Sequence, residues 1–193
     1  RDLPFPGWHA CRLEAEVHPD LPGIGLRLVG RLRDTVHPEA WYLAIPLALP
    51  AGWGCCFDTA GCPVELDADQ LPGASRDWVT VDRWIALQLG GRGAMLACPD
   101  APLAMPAGFA FAKDRSRIPR DADPLLLAWP MNNYWQTNFR SSQPGPMDLR
   151  WRLGAGPGDD RAADALCDTA DGFCVHPVGI LPDRRTGTLP GGT

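Results

Sequence analysis

All three asparagines of this 193-residue chain fall within seven positions: Asn132, Asn133 and Asn138, in the segment Trp129-Pro-Met-Asn-Asn-Tyr-Trp-Gln-Thr-Asn-Phe-Arg140. An extended backbone would put Asn132, Tyr134, Gln136 and Asn138 on one face and Met131, Asn133, Trp135 and Thr137 on the other. Neutral amides donate and accept hydrogen bonds, and aromatic faces cover the C–H patches of a pyranose ring, so this mixture suits a sugar. The residues alone favour a plainer reading, in which buried amides satisfy the backbone of a bulged strand around Pro130.

Other reactive side chains are present without a pattern that unites them. Glycosidase chemistry needs two carboxyl groups about 5 to 9.5 Å apart. Glu14 with Glu16 and Asp77 with Asp82 could reach that spacing, but alternating carboxylates on a sheet are usually solvated. His9, His18, His37 and His176 are scattered, and His37 with Glu39 is only a candidate acid and base. Cys55-Cys56-x5-Cys62 and Cys167-x6-Cys174-x-His176 fit none of the usual zinc spacings, which leaves buried thiols as the better reading. No Gly-x-Ser-x-Gly elbow, phosphate-cradling loop or His-Glu-x-x-His motif occurs.

The elements that must position these residues read as short strands. With 21 Gly and 21 Pro the chain is punctuated too often for long helices. Ala10–Val17 alternates Cys11, Leu13, Ala15 and Val17 with Arg12, Glu14 and Glu16, and Gly25–Leu32 continues the pattern. Trp41–Leu49 is a continuous apolar run that predicts an inner strand. Trp78–Leu89, Ala94–Cys98, Phe109–Ala112, Leu125–Trp135 and Met147–Leu153 follow. Together they predict an all-β antiparallel sandwich over residues 1–158. Residues 159–193 are expected to hold one short helix at Asp160–Cys167, a last strand at Phe173–Leu181, and a linker or tail.

Composition removes several classes. The net charge is −5, with 17 Arg and one Lys scattered among carboxylates, so nucleic acid has no electrostatic footprint. No window reaches the roughly 20 apolar residues of a membrane-spanning helix. Seven cysteines, an odd number, suit a reducing cytoplasm. The chain starts at Arg1 within sequence that reads as structured, so it is expected to be cut from a longer protein.

The Asn and Trp segment, with Gln143-Pro-Gly145 and Leu149-Arg-Trp-Arg-Leu153 after it, resembles the C-terminal β region of glycoside hydrolase family 38, the α-mannosidases and their bacterial relatives. Asp69-Gln-Leu-Pro-Gly73, Asp77-Trp-Val-Thr-Val-Asp-Arg-Trp84 and Cys98-Pro-Asp-Ala-Pro-Leu103 agree with the same region, so the resemblance spans residues 40 to 153. It implies a large sandwich of the galactose mutarotase-like kind, packed behind an upstream catalytic domain. That absent domain would hold the zinc and the catalytic carboxylates, leaving no cofactor in this chain. The carbohydrate contact, to mannose-type glycans, would come from Asn132, Asn133, Tyr134, Trp135, Thr137, Asn138, Arg140 and Gln143. Two other readings share the fold. A free-standing carbohydrate-binding module would display several aromatic rings together, Trp8 or Trp53 among them, and a mutarotase-like epimerase would need a converging acid and base.

Overall fold

The computed structural model describes residues 7–109, 117–133, 138 and 140–156. Among these residues the chain is all-β, without helix. In chain order the strands are β1 (Trp8–His18), β2 (Leu21–Leu32), β3 (Ala40–Pro46), β4 (Gly54–Thr59), β5 (Cys62–Glu65), β6 (Val79–Thr80), β7 (Trp84–Leu89), β8 (Arg92–Ala97), β9 (Leu103–Met105), β10 (Leu125–Asn132) and β11 (Gly145–Gly156). They form two antiparallel sheets, ordered β1-β2-β11-β8-β7-β4-β5 and β3-β10-β9-β6.

The alternation in β1 and β2 sets the faces of the large sheet. Leu13 lies opposite Leu28 and Leu28 opposite Leu149, while Leu153, Leu96, Ile85, Phe57 and Val64 form a row across five strands. This apolar side packs with Ile45, Val79, Ala104, Leu126 and Ala128 of the small sheet in one core. Each fully buried Leu, Ile or Phe there contributes roughly 1.5–3 kcal/mol relative to exposure. The opposite side carries solvated ion pairs, such as Arg27 to Asp148 at 2.6 Å and Arg150 to Asp100 at 2.9 Å. Toward the β1–β2 hairpin the apolar side emerges into solvent, where Val17 is 77% and Leu21 47% exposed. At the other end of the hairpin, a Cβ on Gly30 would stand 2.5 Å from the Ala10 carbonyl and 2.6 Å from the Trp8 ring, so that position must lack a side chain.

Two sequence expectations change. Trp41–Leu49 predicts an inner strand, yet β3 ends at Pro46 and is an edge strand bonded only to β10 among the described residues. Proline has no N–H for a second ladder, and an edge position tolerates it. Trp78–Leu89 predicts one strand but divides into β6 of the small sheet and β7 of the large one. The buried Asp58 carboxylate makes the division. Its Oδ1 accepts the Arg83 and Trp84 N–H groups, both at 2.8 Å, and its Oδ2 takes the Arg83 guanidinium at 2.5 Å. The chain is thereby turned from one sheet to the other.

The expected helix at Asp160–Cys167, the strand at Phe173–Leu181 and the tail lie outside the described residues, as do residues 110–112 of the short strand expected at Phe109. Phe109 itself is exposed and outside any strand. Among the described residues no helix is long and apolar enough to cross a membrane.

Candidate functional site

Strand β10 carries the first part of the Asn and Trp segment. Trp129 is buried, stacks on Tyr42 at 5.4 Å and meets Trp78 edge-on at 5.9 Å. The β10–β3 register shifts between Ala128 and Met131, a bulge spanning Pro130. The displaced strand end then delivers Asn132 and Asn133 to the rim of the sandwich.

A cleft of about 180 Å³ opens there, walled mainly by three distant parts of the chain. Leu32 ends β2 with Arg33 and Thr35 after it, Pro130 to Asn132 end β10 with Asn133 after them, Arg140 to Gln143 lead to Met147 in β11, and Gly7 adds to the wall just before β1. Four of the eight sequence candidates, Asn132, Asn133, Arg140 and Gln143, therefore line one cleft. Asn138 is described and exposed but is not part of the lining. Tyr134, Trp135 and Thr137 lie outside the described residues.

The side chains have separate tasks. Asn133 is an amide bound to backbone: its Oδ1 accepts the Glu39 N–H at 2.5 Å, its Nδ2 donates to the Thr35 carbonyl at 3.4 Å, and its own N–H donates to the Glu39 carbonyl at 2.9 Å. The amide thus serves backbone groups, as in the plainer sequence reading, but it is half-buried and its side-chain partners lie in the 35–39 segment and not in the bulged strand. Ser142 is buried, donating to Asp34 Oδ1 at 2.6 Å and accepting the Thr35 N–H at 3.1 Å. Arg140 donates to Asp34 Oδ2 at 2.8 Å. The Ser142 hydroxyl, and after it the Arg140 guanidinium, hold the Asp34 carboxyl below the usual carboxylate range. Sequence reasoning missed Asp34 and Ser142, which bring the 33–35 and 140–143 segments together across more than a hundred residues.

Asn132 and Gln143, the hydroxyls of Thr35 and Ser141, and the guanidinium groups of Arg33 and Arg140 can exchange hydrogen bonds with a hydroxyl-rich ligand over an apolar floor of Leu32, Pro130, Met131 and Met147. Its volume is below the roughly 300–1,000 Å³ of pockets that enclose drug-sized ligands, so it suits one ring or the end of a chain. Among the described residues the lining includes no Asp, Glu, His or Cys. No family model matches the chain. No curated protein matches it either.

A larger cavity, about 670 Å³, lies beside Trp53, Asp67 and Arg120. Two of its charged groups, Asp67 and Arg120, are committed to each other and to neighbours: Asp67 meets Arg76 at 3.1 Å and Arg120 at 2.9 Å, accepts the Ile118 N–H at 3.0 Å, and Arg120 lies 4.7 Å over the Trp53 ring. That cluster ties residues 117–120 to the end of β5.

The remaining sequence candidates do not converge. Glu14 pairs with Arg12 at 2.7 Å and Arg27 at 3.7 Å on the exposed face. Asp77 is buried, whereas Asp82 is exposed and accepts the Gly61 N–H at 3.3 Å. Glu39 accepts the Trp41 indole N–H at 3.1 Å, while His37 is exposed and its backbone N–H bonds to Thr35. Among the described residues no three His, Cys, Asp or Glu side chains could hold a metal ion together, so the described part does not fit zinc. Trp8 and Trp53, which the binding-module reading would display, are 2% and 1% exposed because both rings sit in cores.

Proposed function

We propose that this chain is the non-catalytic β-sandwich domain of an α-mannosidase-like glycoside hydrolase, and that its rim cleft contacts carbohydrate of the mannose type. The observation that supports this reading is the convergence of Asn132, Arg140 and Gln143, from both ends of the Asn and Trp segment, on one cleft at the edge of the sandwich. The lining offers donors and acceptors that match sugar hydroxyls. Catalytic carboxylates and zinc belong, on this reading, to an upstream domain of the parent protein, and this domain supports that centre and contributes to its carbohydrate contacts.

The other readings draw less support. A free-standing binding module would display several aromatic faces together. Among the described residues Trp8, Trp53, Trp84, Trp129 and Trp151 are buried, and Trp41 and Trp78 are half-buried.

The test is titration of the isotope-labelled chain with methyl α-mannoside and mannobiose, followed by the side-chain amide resonances of Asn132 and Gln143, with an aryl α-mannoside assay in parallel. The expected result is saturable movement of those amides, lost in Gln143→Ala, with no hydrolysis. Zinc-dependent turnover by the chain alone, or saturable shifts confined to a different surface, overturns the proposal.

A further inference from the structure

The first strand has a side that pairs with nothing among the described residues. β1 ends the seven-stranded sheet, runs 11 residues from Trp8 to His18, and contains no proline to block a further ladder. Along such an edge alternate residues direct their N–H and C=O groups outward, where they pair with any strand of matching register. Ala15, Val17 and Leu21 add exposed apolar surface beside it.

The side chains select the partner. The pairing of β1 with β2 is irregular at both ends, between Trp8 and Ala10 and between Glu16 and His18, and if the regular stretch Ala10 to Glu16 meets its copy antiparallel with complete overlap, Leu13 lies on the two-fold axis. In that register Arg12 faces Glu14 of the second chain, and Glu14 faces its Arg12. Cys11 faces Ala15 on the apolar side. A shift of the axis to Arg12 sets Arg12 against Arg12, and a shift to Glu14 sets Glu14 against Glu14 on the axis while pairing Arg12 with Glu16, so only the Leu13 register pairs opposite charges without a like-charge contact. Arg12 is 54% and Glu14 36% exposed, so both can exchange their pair within one chain, at 2.7 Å, for a pair across the axis.

We infer that β1 is a self-association edge, through which two copies of this chain join their large sheets into one continuous sheet about a two-fold axis at Leu13. The contact is isologous, so it closes at two copies and leaves no β1 edge to propagate.

Charge exchange tests this directly, with molar mass measured by sedimentation and light scattering over about 5 to 500 μM, the range of weak specific association. The parent chain should show a monomer–dimer equilibrium. Arg12→Glu alone and Glu14→Arg alone each set like charges across both symmetric positions and should weaken association by about tenfold or more. Mixing the two variants makes every cross-strand pair opposite in charge, so a heterodimer should return to within about threefold of the parent affinity. Circular dichroism and thermal melts establish that each variant is folded, and Leu13→Lys, which places two ammonium groups on the axis, gives a second disruption. A parent that stays monomeric throughout overturns the inference. So do single variants that dimerise like the parent, or folded variants whose mixture does not associate.

Discussion

Replacing Asp58 tests how the chain is turned between its two sheets. This carboxylate is fully buried and serves the Arg83 and Trp84 N–H groups and the Arg83 guanidinium. In Asp58→Ala the buried Trp84 N–H and the part-buried Arg83 N–H lose their acceptor, and each orphaned donor costs about 1–3 kcal/mol. The Arg83 side chain is 32% exposed and can turn to solvent, so loss of its ion pair adds at most about 1 kcal/mol. The expected destabilisation is about 3–5 kcal/mol, a large share of the roughly 5–15 kcal/mol that holds a domain folded. Asp58→Asn keeps a carbonyl oxygen for the two N–H groups and should cost about 1–2 kcal/mol. Urea titration followed by tryptophan fluorescence measures both, and the Ala variant should melt about 10 °C lower or more. Equal losses in the two variants, or a loss under about 1 kcal/mol in Asp58→Ala, would show that these bonds do not hold the corner.

Asn133→Ala removes two side-chain bonds to the 35–39 segment and should lower stability by about 1–3 kcal/mol in a denaturant melt; Gln143→Ala, at an exposed position, should change stability by less than about 0.5 kcal/mol. The depressed Asp34 carboxyl contributes stability above its unfolded value, near about 3.9, and loses it as pH falls through the lower folded value. An NMR titration should therefore show Asp34 protonating below an ordinary aspartate, and Ser142→Ala should raise its midpoint. Among the described cysteines, Cys62 is exposed while Cys11, Cys55 and Cys98 are buried, and burial pushes the Cys11 and Cys55 thiols up. Maleimide labelling mapped by mass spectrometry should modify Cys62 in the native protein and those three only after denaturant is added.

The parts of the fold legible in the sequence are those written locally. Cys11, Leu13 and Arg12, Glu14 alternate with the period of a half-buried strand, and β1, β2, β8 and β11 fall where that period predicts strands. The short β4, β5 and β9 were not legible. Gly54 to Thr59 shows no clear alternation of apolar and polar residues, and Leu103–Met105 is too short to show a period. Sheet order and the corner at Asp58 depend on partners 25 or more residues away, which no local pattern carries. The cleft divides similarly. Unusual composition marked Asn132, Asn133, Arg140 and Gln143, whereas Arg33, Asp34 and Thr35 look like ordinary loop residues until β2 and β11 are paired.

Because the rim cleft takes its walls from the ends of β2 and β10 and from the approach to β11, it exists only when both sheets have closed on each other. Occupancy and global folding are thus thermodynamically linked, and a ligand seated there would act as a clasp across the open end of the sandwich. A ligand at 100 times its dissociation constant would add about 2.7 kcal/mol to the unfolding free energy. Thermal melting in the presence of candidate sugars therefore serves as a screen for occupants of the cleft that requires no enzymatic readout.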